Sequence, residues 1–220
     1  MCCAKVVVMA PTSVPGVGSP PGRSEQDRAV RRRAAILAAA GRLLVRSGMS
    51  AISHRAVAAE ADVPLGAIRY YFESRESLVL ACMDHFEVVR RDAAATAIEQ
   101  ARAHQPDTAG LARLALVAYY GPDLDDATLR GAVGSMADFA RESPALSHRL
   151  AEYRVDLDRQ LDDLLVAAGR SAVSNRLMAA VIDGSILSAV IEARTDIAEL
   201  ALADLTEFLE LSPPDRSRDG

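Results

Sequence analysis

Tryptophan is missing from this chain, aromatic residues make up 4% of it, and Lys5 is its one lysine. So few rings announce no stacked aromatic cage and no broad site for a flat ligand. The lysine deficit is met by arginine and reads as codon bias. Cysteine occurs at Cys2, Cys3 and Cys82 alone, too few and too poorly spaced for a disulfide framework. Cys82 and His85 lie three residues apart on a predicted helix, but two ligands do not hold a metal, and a buried thiol beside a surface imidazole is the simpler reading. The apolar run at residues 6–9 is too short for a signal-peptide core, and no stretch approaches the roughly 20 residues of a membrane span. A cytoplasmic protein is expected. Glycine-rich phosphate loops, a Gly-x-Ser-x-Gly elbow and a His-Glu-x-x-His pair are also absent. His54, His104 and His148 stand alone, and the acidic pairs Asp125-Asp126 and Asp162-Asp163 are adjacent, so on a helix they diverge by about 100°. No catalytic residue, metal or cofactor is therefore expected.

What is present is a core. Half of the 220 residues are hydrophobic, which excludes global disorder and suffices for one or two cored domains. The net charge of −5 argues against a generic polyanion binder, but the charge is unevenly placed. From Arg23 to Arg75 there are ten arginines against five acids; from Glu76 onward there are fourteen against twenty-five. A basic head on an acidic body suits a DNA reader joined to a domain with another task. Ahead of the head, residues 1–22 are rich in proline and glycine and are expected to be a disordered tail.

The head holds the stretch that organises the chain. Ser53 is a natural N-cap, and Ala56, Val57 and Ala61 follow at helical spacing. Asp62 falls where the chain must reverse and tolerates the left-handed conformation; Pro64 fixes φ and opens a second helix from Leu65 to about Phe72. Two short helices about a tight turn are a helix-turn-helix, whose second member enters the major groove. The DNA-facing candidates are Ser53, His54, Arg55, Pro64, Leu65, Arg69, Tyr70, Tyr71 and Arg75. Arg69 is expected to read guanine or a phosphate, the tyrosines backbone or thymine methyl, and Arg55 and Arg75 to clamp phosphates. Arg28, Arg31, Arg32 and Arg33 lie on a preceding helix predicted over 25–47 and add basic groups beside the motif.

At these residues the chain resembles the tetracycline-repressor-like (TetR/AcrR) family of bacterial transcription regulators. The resemblance covers the helix from Arg32 that stops at Gly48, the unit from Ser53 to Phe72, and the sequence Ser74-Arg75-Glu76-Ser77-Leu78. It departs from the family pattern at Asp62, where Gly is usual, at Arg69, where an aromatic is usual, and at Arg75, where Lys is usual. The first puts strain on the turn, and the second alters a base-reading position. The resemblance implies an all-α fold, with an N-terminal three-helix helix-turn-helix domain (23–74) and a larger C-terminal helical domain for effector binding and dimerisation (75–211), followed by a frayed tail (212–220).

Behind the head, Ser74 caps a long helix that carries apolar positions well past Arg90. Further helices are predicted over 108–120, 125–141, 144–168, 171–194 and 197–209. The segment 175–193 is apolar on more than one face, so it must be buried on several sides, by a central core or by a second subunit. The resemblance favours a homodimer, and the dimerisation candidates are Met178, Val181, Ile182, Ser185, Leu187 and Ile191. For a small-molecule effector, Tyr119, Tyr120, Met136, Phe139 and Tyr153 are candidate lining residues, with Asp138 or Arg141 as a polar handle, although rings at helical spacing also suit a plain core. The expected function is that of a dimeric repressor, bound to palindromic double-stranded DNA and released by an effector. An all-helical enzyme or a protein-binding scaffold is the alternative; turnover lost on changing an acid of the body but not Arg69 distinguishes the first, and a scaffold has little use for the Arg69-Tyr70-Tyr71 tip.

Overall fold

The computed structural model describes residues 21–212. The two expected tails lie outside this range, apart from Pro21, Gly22 and Ser212. Among the described residues the regular structure is entirely helical: α1 (Pro21–Ser47), a single 3₁₀ turn (Met49–Ala51), α2 (His54–Glu60), α3 (Leu65–Tyr71), α4 (Arg75–His104), α5 (Thr108–Tyr120), α6 (Asp126–Glu142), α7 (Pro144–Ala167), α8 (Asn175–Ile191) and α9 (Ile197–Glu210). The all-α expectation holds. α1 begins four residues earlier than predicted, with proline at its first position, where a missing N–H costs nothing.

Helix starts follow from side-chain caps. Ser53, Ser74, Asp107, Asp125, Ser143 and Ser174 each accept a backbone N–H in the first turn of the helix they precede. Ser74 and Ser77 do so reciprocally, at 3.0 Å each way. Two helix ends fall on residues of positive φ. Gly121 (φ 98°) ends α5 and Gln105 (φ 44°) ends α4. α8 is shorter than the predicted 171–194, because residues 171–174 form a turn ahead of the Ser174 cap and Ala193 turns left-handed at φ 54°.

Two apolar clusters organise the molecule. The first joins Ile36, Leu37, Ala40, Leu43 and Leu44 of α1 to Val57, Ile68, Phe72 and the start of α4, and it includes Phe139 and Leu146 from α6 and α7. The second fills the body between α4, α5, α7, α8 and α9. α4 takes part in both. At 30 residues it is about 45 Å long, a single rod from head to body. Head and body also meet at Gly131 of α6, where a Cβ would stand 2.9 Å from Val45 Cα. Glycine there lets α6 lie directly on the end of α1.

Candidate nucleic-acid interface and interhelical cavity

α2 closes in a Schellman turn. Val63 N–H donates to Ala58 O at 3.0 Å and Asp62 N–H to Ala59 O at 3.3 Å. Asp62 supplies the required left-handed residue at φ 52°, so an aspartate does there what glycine does elsewhere. Pro64 stands at the N-cap of α3, one position before the predicted first turn.

α3 then presents two faces. Ile68 is wholly buried and pins the helix to the head, while Tyr71 is half-buried beside Phe72. Truncating Ile68 to alanine would cost about 2–5 kcal/mol by the usual core scale. On the other face Gly66, Arg69 and Tyr70 are exposed, Tyr70 at 82%. The Tyr70 ring meets Tyr71 edge-on, with centroids 5.1 Å apart. Pro64 is exposed and Leu65 half-buried at the head of this face. Ser53 and Arg55 are exposed at the start of α2, where Ser53 Oγ accepts the Ala56 N–H at 3.1 Å and keeps its own hydrogen to donate.

Two expected contact residues are turned to another use. His54 Nε2 lies 3.0 Å from Phe72 O and ties α2 to the end of α3. Arg75, expected as a phosphate clamp, directs its guanidinium inward. Nε donates to Ile52 O at 2.6 Å, Nη2 donates to Met49 O at 2.8 Å, and Nη1 pairs with Glu142 at the end of α6. Met49 O already accepts the Ile52 N–H at 3.1 Å, so the planar fork takes its second lone pair together with the Ile52 carbonyl that follows the turn. Of the other head arginines, Arg42 and Arg46 are paired with Glu60 at 2.9 and 2.8 Å. These bonds, Arg46 first, hold the Glu60 carboxyl below the ordinary carboxylate range. Arg33 lies 5.5 Å from the Phe72 ring centroid, while Arg28, Arg31 and Arg32 are exposed.

All five expected lining residues, Tyr119, Tyr120, Met136, Phe139 and Tyr153, border one cavity of about 250 Å³. Its remaining wall includes Leu44 and Val45 of α1, Met83, Phe86, Glu87 and Arg90 of α4, and Gly131 and Ser135 of α6. The expected polar handles are corrected: Asp138 and Arg141 are solvent-exposed and border no part of it. Instead the polar groups are an internal network. Tyr119 and Tyr120 donate to Asp183 at 2.6 and 3.3 Å. Burial first, then the Asp183 carboxylate, pushes both phenols upward in pKa, so they remain donors. Phe86 and Ser135 were not singled out from sequence, since neither carries a local signal that distinguishes wall from surface. Cys82 sits in the head core, where burial pushes its thiol up to about 12 and leaves it unreactive.

α8 also has two sides. Met178, Ile182 and Ser185, named for a subunit interface, are buried within this chain. Leu187 and Ile191 are exposed and Val181 half-buried on the opposite side, together with Leu177, Ala180, Gly184 and Ser188. A Cβ at Gly184 would meet nothing within 4 Å. Among the described residues no helix is long and apolar enough to cross a membrane.

Residues 36–82 match the family model "Bacterial regulatory proteins, tetR family". No curated protein matches the chain. Among solved structures, the TetR family member SCO1917 of Streptomyces coelicolor A3 is 29% identical, with 80% of this chain and 97% of that one covered at a TM-score of 0.59. The multidrug binding protein EbrR, complexed with ethidium, is 30% identical over 80% of this chain and 98% of its own, at a TM-score of 0.50. A TetR transcription regulator of Haloarcula marismortui shares the fold at a TM-score of 0.64 and 20% identity, covering 83% of this chain and 98% of that one. With the exposed Arg69-Tyr70 tip carried on a capped, glycine-free helix-turn-helix turn, and with relatives aligned along nearly their whole length, the chain belongs to the TetR family of transcriptional regulators, DNA-binding proteins with a helix-turn-helix head.

Proposed function

We propose that the protein is a homodimeric repressor that a small molecule, held in the cavity bordered by Tyr119 and Phe139, releases from a palindromic operator. The observation that carries this reading is the make-up of the cavity wall. It draws on α1, the helix that braces the recognition unit, on α4, the rod between head and body, and on α6, which touches α1 at Gly131. An occupant that fits one tilt of these helices better than another shifts the head by its difference in affinity, and by no more than that. EbrR, the relative solved with ethidium, proflavin and malachite green, supports a ligand-binding body.

Arg69 and Tyr70 are the base-reading groups in this reading, with Ser53 and Arg55 on phosphates. The head comprises residues 23–74 and the body 75–211. Dimerisation uses the outward side of α8, with Leu177, Val181, Gly184, Leu187 and Ile191, joined by Phe208 and Leu211 beyond it. Two copies then set their recognition helices about 34–36 Å apart, or a multiple of that, on DNA. The test begins with Gly184→Leu, which has open space in the single chain and a clash only across a close helix pair. Sedimentation should show a monomer of undiminished helicity that no longer shifts a duplex selected from random DNA. A dimer that persists in the variant refutes this interface. The same duplex, held by the unaltered protein, should be released by cavity-binding compounds.

A further inference from the structure

The cavity has few charges to offer, and those within it are spent. Glu87 and Arg90 are both buried and face each other. Arg90 Nε and Nη2 donate to Glu87 at 2.8 and 2.7 Å, and Arg91 Nε adds a bond of 2.8 Å to the same carboxylate. The rest of the Arg90 fork goes to Ala118 O and Gln160 Oε1, each at 2.8 Å. Asp123 is the other charged lining residue, and it is solvent-exposed, where water screens it. The hydroxyl hydrogens of the wall are spent as well: those of Tyr119 and Tyr120 on Asp183, that of Tyr153 on Asp84, and that of Thr128 on Asp125 at 2.6 Å.

One group stands apart. Ser135 is 2% exposed, borders the cavity, and its Oγ is the buried side-chain polar atom that has no hydrogen-bond partner among the described residues. A buried hydroxyl without a partner costs free energy that an incoming group can recover. A charged ligand finds no such return. It must shed its water and meets a carboxylate and a guanidinium already satisfied by each other. The volume, about 250 Å³, falls just below the range of roughly 300–1,000 Å³ usual for drug-sized ligands.

We propose that this cavity takes a compact, uncharged, ring-bearing molecule with one polar group that hydrogen-bonds Ser135 Oγ, its ring lying among Phe86, Tyr119, Tyr120 and Phe139. The proposal rests on the reading of the cavity as the effector site and adds the chemical class of the occupant.

A size-matched probe series tests it on the full-length protein: benzyl alcohol, benzylammonium, benzoate and ethylbenzene, with saturation-transfer NMR to detect binding and titration to rank it. Benzyl alcohol should bind, and each charged probe should bind weaker by roughly tenfold or more, the cost of stranding an ion beside a closed pair. In Ser135→Ala, benzyl alcohol should weaken by roughly five- to tenfold, the worth of one hydrogen bond, while ethylbenzene is unaffected. If benzylammonium or benzoate matches benzyl alcohol, the assignment to an uncharged class is overturned and the cavity still stands as a binding site. Equal weakening of benzyl alcohol and ethylbenzene in Ser135→Ala overturns the serine contact. If none of the four binds, the cavity itself is not the effector site and the proposal falls with it. The charge series uses unaltered protein, so it decides the class even where the variant folds poorly.

Discussion

Arg75 gives the sharpest contrast between a reading from sequence and a reading from structure, because the two predict opposite results. As a phosphate clamp it would contribute to DNA binding and little to stability. As a strut it holds the carbonyls of Met49 and Ile52 through charge-assisted bonds of 2.8 and 2.6 Å, and pairs with Glu142. Bonds of this kind contribute about 1.5–3 kcal/mol each. About a third of the Arg75 side chain is exposed (35%), so water can replace part of the loss, and we take about 2 kcal/mol for the two bonds together. The exposed ion pair adds at most about 1 kcal/mol. For a chain of this size, each kcal/mol lowers Tm by about 2–4 °C.

Arg75→Met should therefore lower Tm by about 4–12 °C, read by circular dichroism at 222 nm. Arg75→Lys should forfeit most of the same amount, since an ammonium keeps the charge but cannot span two carbonyls as a fork. DNA affinity, measured at a temperature where both variants remain folded, should fall with salt at the same slope as for the unaltered protein. Removing a phosphate-binding group would instead flatten that slope by about 0.9. Unchanged Tm in Arg75→Met, with a slope flatter by that amount, would refute the strut.

Three further outcomes are expected. Arg69→Ala should relax base preference at one or two positions when operators are reselected from random duplexes, by about 1–3 kcal/mol of discrimination at each base pair that the guanidinium reads, and unchanged selection would remove Arg69 from the base-reading set. Glu60 has a lowered folded pKa, so its contribution is complete above the unfolded carboxyl value and is lost as pH falls through the folded one; Tm of Glu60→Gln should lie below that of the unaltered protein near neutrality and converge with it in acid, whereas parallel curves would deny the Arg42 and Arg46 pairing a role. Ala193 sits exposed at φ 54°, a region that glycine enters without steric cost, so Ala193→Gly should raise Tm by about 2–4 °C for a gain near 1 kcal/mol, and a decrease would place the cost elsewhere.

The features that were legible in the sequence are those decided within a few residues. A serine before a helical run caps it because its Oγ reaches the N–H three residues on, as at Ser53 and Ser74. Asp62 turns the chain left-handed because the carbonyls of Ala58 and Ala59 are at hand to accept Val63 and Asp62. What was not legible depends on distant partners. An arginine chooses between phosphate and protein according to what lies within its reach, and Met49 and Ile52 are 26 and 23 residues away from Arg75. The choice is made by how α1 and α4 pack, which local spacing does not encode.

The same reasoning explains the divided outcome for α8 and the cavity. An apolar run such as 175–193 shows that a helix is covered on several sides, yet only its neighbours decide which side the chain covers itself. Here Met178 and Ile182 face the body core, which leaves Leu177, Leu187 and Ile191 outside. For the rings, core and pocket turn out not to be alternatives. Tyr119 and Phe139 are 4% and 8% exposed and belong to the two apolar clusters, yet both border the cavity. A cavity placed where the head cluster meets the body cluster must be walled by residues of both. That position, rather than the identity of any single lining residue, is what allows an occupant to bear on α1 and α6 at once.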